Sequence, residues 1–94
     1  YPLINEAIIA LQEHIASPND IDTAMIAGAG MKYHGERKGP LAIADEIGLD
    51  CILAGLQGLF EKYGERFRPA RLLRTKVRAG HLGVKTRRGF HSYA

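Results

Sequence analysis

Between residues 3 and 15 the sequence LINEAIIALQEHI places apolar side chains at Leu3, Ile4, Ala7, Ile8, Leu11 and Ile15. Helical spacing gathers these onto one face and turns Glu6, Gln12 and Glu13 away from it, which predicts an amphipathic helix. Ser17-Pro18-Asn19-Asp20 then supplies an N-cap, a first-turn proline and an acid placed to reach back to the cap. The second helix it starts runs through Ile21, Ala24, Met25 and Ala27 and should end at Gly28-Ala29-Gly30. The polar, glycine-containing stretch MKYHGERKG reads as a loop. Pro40 suits the first position of a short helix, LAIADEI, which Gly48 breaks.

Asp50 is placed to cap a longer helix, CILAGLQGLFEKY. Ile52, Leu53, Leu56, Leu59, Phe60 and Tyr63 make its apolar face, and Gly64 ends it. Gly55 and Gly58 lie inside that helix, each costing ~1 kcal/mol against Ala. Their spacing suits the close approach of another helix and equally suits an accident of packing. After Pro69, ARLLRTKVRA sets Leu72, Leu73 and Val77 on one side and stops at Gly80. With no alternating strand pattern and no repeat, residues 1–94 read as a single all-α domain.

Composition narrows the class. A hydrophobic fraction of 46% over 94 residues allows a core without metal or disulfide staples. The lone Cys51 falls in an apolar helical pattern and reads as a small buried residue in a reducing, cytoplasmic-type compartment. No apolar run is long enough for a membrane span. The sequence opens in mid-pattern at Tyr1-Pro2-Leu3 without an initiator Met, which points to a piece of a longer polypeptide.

Charge is unevenly distributed. From Arg66 to Ala94 there are nine Lys or Arg and no Asp or Glu, whereas the preceding residues are acidic overall. Arg71, Arg74 and Arg78 share a face of the last helix, either as a solvated or interdomain surface or as an anion-binding strip. Nucleic acid is disfavoured, because no tight helix-turn-helix precedes the strip and no aromatics interleave with the arginines. A free-standing basic module that binds nucleic acid or another polyanion is the alternative function.

Catalytic patterns are missing. His14, His34, His81 and His91 show no metal-ligand spacing, so no metal site is expected. Gly28-Ala29-Gly30 closes a helix and follows no strand, unlike a dinucleotide-binding turn. Asp45 and Glu46 are adjacent on a helix and point about 100° apart, which excludes a catalytic carboxylate pair.

Four blocks nevertheless occur in order: PLINEA (2–7), SPNDIDTAMIAGAG (17–30), GPLAIADEIGLD (39–50) and RPARLLRTKVRAGHLGVKTRRGF (68–90). Together they resemble the carboxy-terminal helical domain of the 3-hydroxyacyl-CoA dehydrogenases, over nearly the whole chain. The resemblance implies a helical bundle like the second domain of 6-phosphogluconate dehydrogenase. The parent activity it implies is NAD-dependent oxidation of 3-hydroxyacyl-CoA to 3-ketoacyl-CoA, in β-oxidation or butyryl-CoA metabolism. In that family a Rossmann domain binds NAD and carries the catalytic His, Glu and Ser. A further Asn lies just before the PLINEA-like block. No catalytic or cofactor-binding residue is therefore expected here, and the fragment alone is expected to be inactive. Its partners are the Rossmann domain of the same polypeptide, the acyl-CoA substrate and a second copy in a homodimer, with no membrane.

Positions carried over are Met31, Tyr33, Gly39, Pro40 and Leu41 for the substrate cleft. Leu49, Ile52, Leu53, Leu56, Leu59 and Phe60 are carried over for the core or dimer contact. Two departures stand out. Met31 to Lys38 makes a longer, more basic loop than the family's, and Arg87 stands where the family's Lys-Thr-Gly-x-Gly-Phe clasp has glycine. That turn should be rebuilt or strained. Phe90 and Tyr93 should lay the tail onto the helices, with Gly89 permitting the approach.

Overall fold

Ile8, Leu41, Leu49, Ile52, Leu56 and Leu73 are fully buried and come from four different helices. Each such side chain contributes roughly 1.5–3 kcal/mol relative to exposure, so their shared burial is what draws the helices together. The computed structural model describes residues 2–93, Pro2 by its backbone only. Its elements are α1 (Pro2–Gln12), α2 (Pro18–Ala29), β1 (Lys32–Tyr33), β2 (Glu36–Arg37), α3 (Pro40–Ile47), α4 (Leu49–Tyr63) and α5 (Arg71–Arg78). A single 3₁₀ turn at Glu65–Phe67 lies between α4 and α5, and another at Val84–Thr86 follows α5 in the tail. α1 packs on α3 and α5, and α3 lies between α2 and α4.

The predicted helices are present, and the differences have local causes. α1 stops at Gln12 because His14 turns left-handed (φ 59°) and the Ile15 N–H donates back to the Ala10 carbonyl. Ile15 is consequently 73% exposed, and Leu3 at the other end is also exposed, so neither joins the predicted core face. α2 begins as expected, with the Ser17 hydroxyl accepting the Asp20 N–H at 3.1 Å. It continues through Gly28 and Ala29 to a left-handed Gly30.

The 31–38 loop contains a two-stranded antiparallel hairpin, with Tyr33 opposite Glu36. Both turn residues, His34 and Gly35, have positive φ, as the tightest hairpins require. Strands of two residues are too short to show alternation, so only the turn pair could have signalled them.

Cys51 is exposed, not buried. It lies one position before Ile52, about 100° around the helix from it and about 140–160° from the buried Leu56 and Leu49, so it faces away from the buried stripe. Leu53, Leu59 and Phe60 flank that stripe half-buried, and Tyr63 is exposed. Asp50 does not cap α4; it is the second helical residue, paired with Lys85 at 2.7 Å. Gly48 precedes the helix, and the Leu49 N–H donates to the Leu82 carbonyl.

Candidate functional site

Two carboxylates within the helix bundle organise the region around the Gly39-Pro40 turn. α3 starts at Pro40 with Gly39 as its N-cap, and glycine offers no side-chain acceptor. Asp22 of α2 takes that role from a distance. Its Oδ1 accepts the Leu41 N–H at 2.8 Å, and its Oδ2 accepts the Ala42 N–H at 2.9 Å. Negative charge at a helix N-terminus is also favoured by the macrodipole. Gly39 lies so close to Asp22 that a Cβ there would overlap its backbone and side chain.

Asp45, near the other end of α3, is fully buried. It holds the tail by accepting from the Phe90 N–H (2.8 Å), the His91 N–H (2.9 Å) and the Tyr93 hydroxyl (2.8 Å). A buried charge with three donors is compensated; one without them would be very costly. Gly89 approaches so closely that any Cβ would collide with the Asp45 carboxylate. His91 links the two carboxylates: its backbone serves Asp45, and its Nε2 lies 2.8 Å from Asp22 Oδ2. Burial first, and then the hydrogen bond to Asp45, push the Tyr93 phenol well above its ordinary value. Phe90 is buried beside these contacts. The tail is thus a clasp, as expected, and Arg87 takes the left-handed conformation (φ 63°) at its turn.

Beside Gly39 an open depression of about 380 Å³ is lined by Thr23, Ile26, Arg37, Lys38, His91 and Tyr93, among others. Lys38 is held there by Glu46, whose hydrogen bond is the main reason that its ammonium titrates above the usual lysine value. Of the five cleft positions singled out in the sequence, only Gly39 borders this depression. Pro40 and Leu41 are fully buried, and Met31 and Tyr33 are half-buried against the core.

Sequence reasoning missed Asp22, Asp45 and His91 as the organising groups. It also missed Asn5 and Gln12 of α1, which cap α5 from outside. Asn5 donates to the Arg68 carbonyl and accepts the Ala70 N–H, both at 2.9 Å, and Gln12 accepts the Leu72 N–H at 2.8 Å. No local signal marked them, since Asn5, Asp22 and Asp45 are each followed by a polar residue, Glu6, Thr23 and Glu46.

Gly28-Ala29-Gly30 does not fit the phosphates of a nicotinamide dinucleotide. The Gly30 N–H is spent on the Ile26 carbonyl as a helix cap, and Gly28-Ala29-Gly30 follows no strand. Among the described residues no group of three or more His, Cys, Asp or Glu is placed to hold a metal ion.

Comparison with known families decides the relationship. The profile of the 3-hydroxyacyl-CoA dehydrogenase C-terminal domain matches residues 1–93. The chain belongs to this family. A probable 3-hydroxybutyryl-CoA dehydrogenase of Bacillus subtilis is 44% identical over 93 residues, covering 98% of this chain and 31% of the relative. The 3-hydroxyadipyl-CoA dehydrogenase of Escherichia coli is 47% identical over 76 residues, 80% of this chain and 15% of that protein. In the solved (S)-3-hydroxybutyryl-CoA dehydrogenase PaaH1 of Ralstonia eutropha the same fold recurs with a TM-score of 0.91 and 45% identity. That match covers 99% of this 3-hydroxyacyl-CoA dehydrogenase-family domain and 31% of the solved chain. The domain thus spans under a third of the length of such relatives.

Proposed function

We propose that this domain is the substrate-cleft and dimerisation half of an NAD-dependent 3-hydroxyacyl-CoA dehydrogenase. The NAD-binding Rossmann domain and the reacting His, Glu and Ser would lie elsewhere on the same polypeptide. The observation that carries this is the family match along residues 1–93, joined to relatives named for 3-hydroxybutyryl-CoA and 3-hydroxyadipyl-CoA. The bundle's own chemistry agrees: its buried carboxylates are consumed by backbone and tyrosine donors, so they hold shape rather than react. What such a body supplies is orientation, since fixing two reactants in a near-attack geometry removes much of the entropic barrier. Met31, Tyr33 and Gly39 would bound the cleft, with Pro40 and Leu41 as its rigid floor. An exposed Cys51 thiol fits a reducing cytoplasm.

For self-association, the outer side of α4 is the proposed contact. Cys51, Ala54 and Gly58 are exposed there, with half-buried Gly55 beside them, so a second helix could approach closely. The polyanion-binding alternative loses Arg68 and Lys85 of the basic third to Glu65 and Asp50, but keeps its Arg71, Arg74 and Arg78 strip. The test is to assay the intact polypeptide and the isolated domain with (S)-3-hydroxybutyryl-CoA and NAD. NADH formation by the intact protein alone is expected; no turnover by the intact protein with any 3-hydroxyacyl-CoA would overturn the reading. Sedimentation of the intact protein as a strict monomer at high micromolar concentration would remove the dimer contact.

A further inference from the structure

A second hollow, of about 440 Å³, opens between the end of α1, the start of α2 and the flank of α5. Its apolar wall is Leu11, Pro18, Leu72 and the edge of buried Phe90. Its rim carries Arg71, Lys76 and His14, and no carboxylate lines it. Among the described residues no carboxylate lies within ion-pair distance of Arg71 or Lys76. The larger hollow next to it shares Gln12 and Arg71 with this one and adds Glu6, Glu13 and Glu65 on its far side. The walls of the smaller hollow are held in place. Gln12 is tied to the Leu72 N–H, Thr75 donates to the Arg71 carbonyl at 3.1 Å, and Phe90 is anchored through its own N–H by Asp45.

An apolar slot of that volume is at the small end of ligand pockets, and a few fixed polar groups at its mouth set ligand orientation. Arg71 and Lys76 flank the slot five positions apart on α5, and neither is paired with a described carboxylate, so they favour an anionic head that a guanidinium can grip bidentately. The Lys76 end is an electropositive spot. His81 is held below the ordinary imidazole value by burial first, then by Arg88 and Lys76.

We propose that this hollow binds a small amphiphile with one carboxylate and an aliphatic body, of the medium-chain fatty acid class. The carboxylate sits between Arg71 and Lys76, and the chain lies against Leu11, Leu72 and Phe90. This site is separate from the cleft beside Gly39, shares no lining residue with it, and does not depend on the dehydrogenase reading.

The test is calorimetric titration of the intact protein with octanoate, with acetate and octanol as probes lacking the body or the charge. Saturable binding of octanoate alone is expected. The Arg71→Ala, Lys76→Ala double variant should weaken it at least ten-fold. Arg78→Ala, an equal loss of charge elsewhere on α5, should leave it unchanged. Thr75→Trp fills the mouth while keeping both cations, and should abolish binding. The proposal is overturned if the intact protein shows no saturable binding of octanoate. It is equally overturned if acetate binds as well, if Arg78→Ala weakens binding as much as the double variant, or if Thr75→Trp leaves it intact.

Discussion

The Tyr93 hydroxyl donates to Asp45 Oδ2 at 2.8 Å, joining the tail to α3 across 48 positions of sequence. This bond ties stability to pH on the alkaline side. Folding raises the phenol's pKa above its ordinary 10.0, through burial and then through the Asp45 carboxylate. The neutral phenol is therefore favoured in the folded state, and its contribution is complete below pH 10.0 and is lost as pH rises beyond it. Tyr93→Phe should destabilise the protein by about 1.5–3 kcal/mol at neutral pH, as for a hydrogen bond to a charged group. The difference from wild type should shrink above about pH 10. Chemical denaturation at neutral and alkaline pH checks both halves, and a pH-independent difference would break the link.

Asn5 offers a cleaner case, because it is nearly fully buried and serves two backbone groups at once. Removing its amide strands the Arg68 carbonyl and the Ala70 N–H at the entrance to α5. Each orphaned buried group costs about 1–3 kcal/mol, so Asn5→Ala should lower stability by about 2–4 kcal/mol. Asn5→Asp keeps the acceptor for Ala70 but faces an oxygen towards the Arg68 carbonyl. Denaturation midpoints should therefore show Asn5→Asp also destabilised; an unchanged midpoint would mean that water replaces the amide.

These two residues show where the sequence was legible. Helix positions followed from local signals (Ser17 capping α2, Pro40 opening α3, Gly64 closing α4), because caps and apolar spacing act within a few residues. The clasp of Phe90 and Tyr93 was legible through glycine and aromatic placement. Their partner was not. Asp45 lies 45 positions before Phe90, and nothing local distinguishes a carboxylate that faces a buried tail from one that faces water. Asn5 and Gln12 were read, if at all, by helical face, yet both reach across to α5. The depression beside Gly39 depends on how α2, the hairpin and the tail converge, which no single segment encodes.

Arg87 is the residue whose conformation is least natural to it. A side chain in the left-handed region costs roughly 1–2 kcal/mol, while glycine there gives back about 0.4–1 kcal/mol in unfolded-state entropy. Arg87→Gly should thus stabilise the domain modestly, by about 0.5–1 kcal/mol. Gly89→Ala two positions on should do the opposite and strongly, because its methyl would meet the Asp45 carboxylate. Thermal melts of the two variants should move in opposite directions. A destabilised Arg87→Gly would show that the arginine side chain makes a contact that outweighs its backbone strain.

On the acid side the pair to examine is Asp50 and Lys85, which joins the first turn of α4 to the 3₁₀ turn of the clasp. The lysine's hydrogen bond holds the Asp50 carboxyl below its ordinary 3.8. A carboxyl lowered by folding contributes stability above its unfolded value, and loses it as pH falls through the folded one. Lys85→Met removes that lowering and keeps most of the aliphatic stem. The variant's stability should then fall less steeply than wild type below about pH 4, although the Glu65–Arg68 pair, which lowers Glu65 in the same way, leaves part of the slope in both. Both pairs are solvent-exposed, so the difference should fade with added salt. Urea titrations at low ionic strength down the acid limb measure it directly, and parallel curves for the two proteins would show that the Asp50–Lys85 pair contributes nothing to folding.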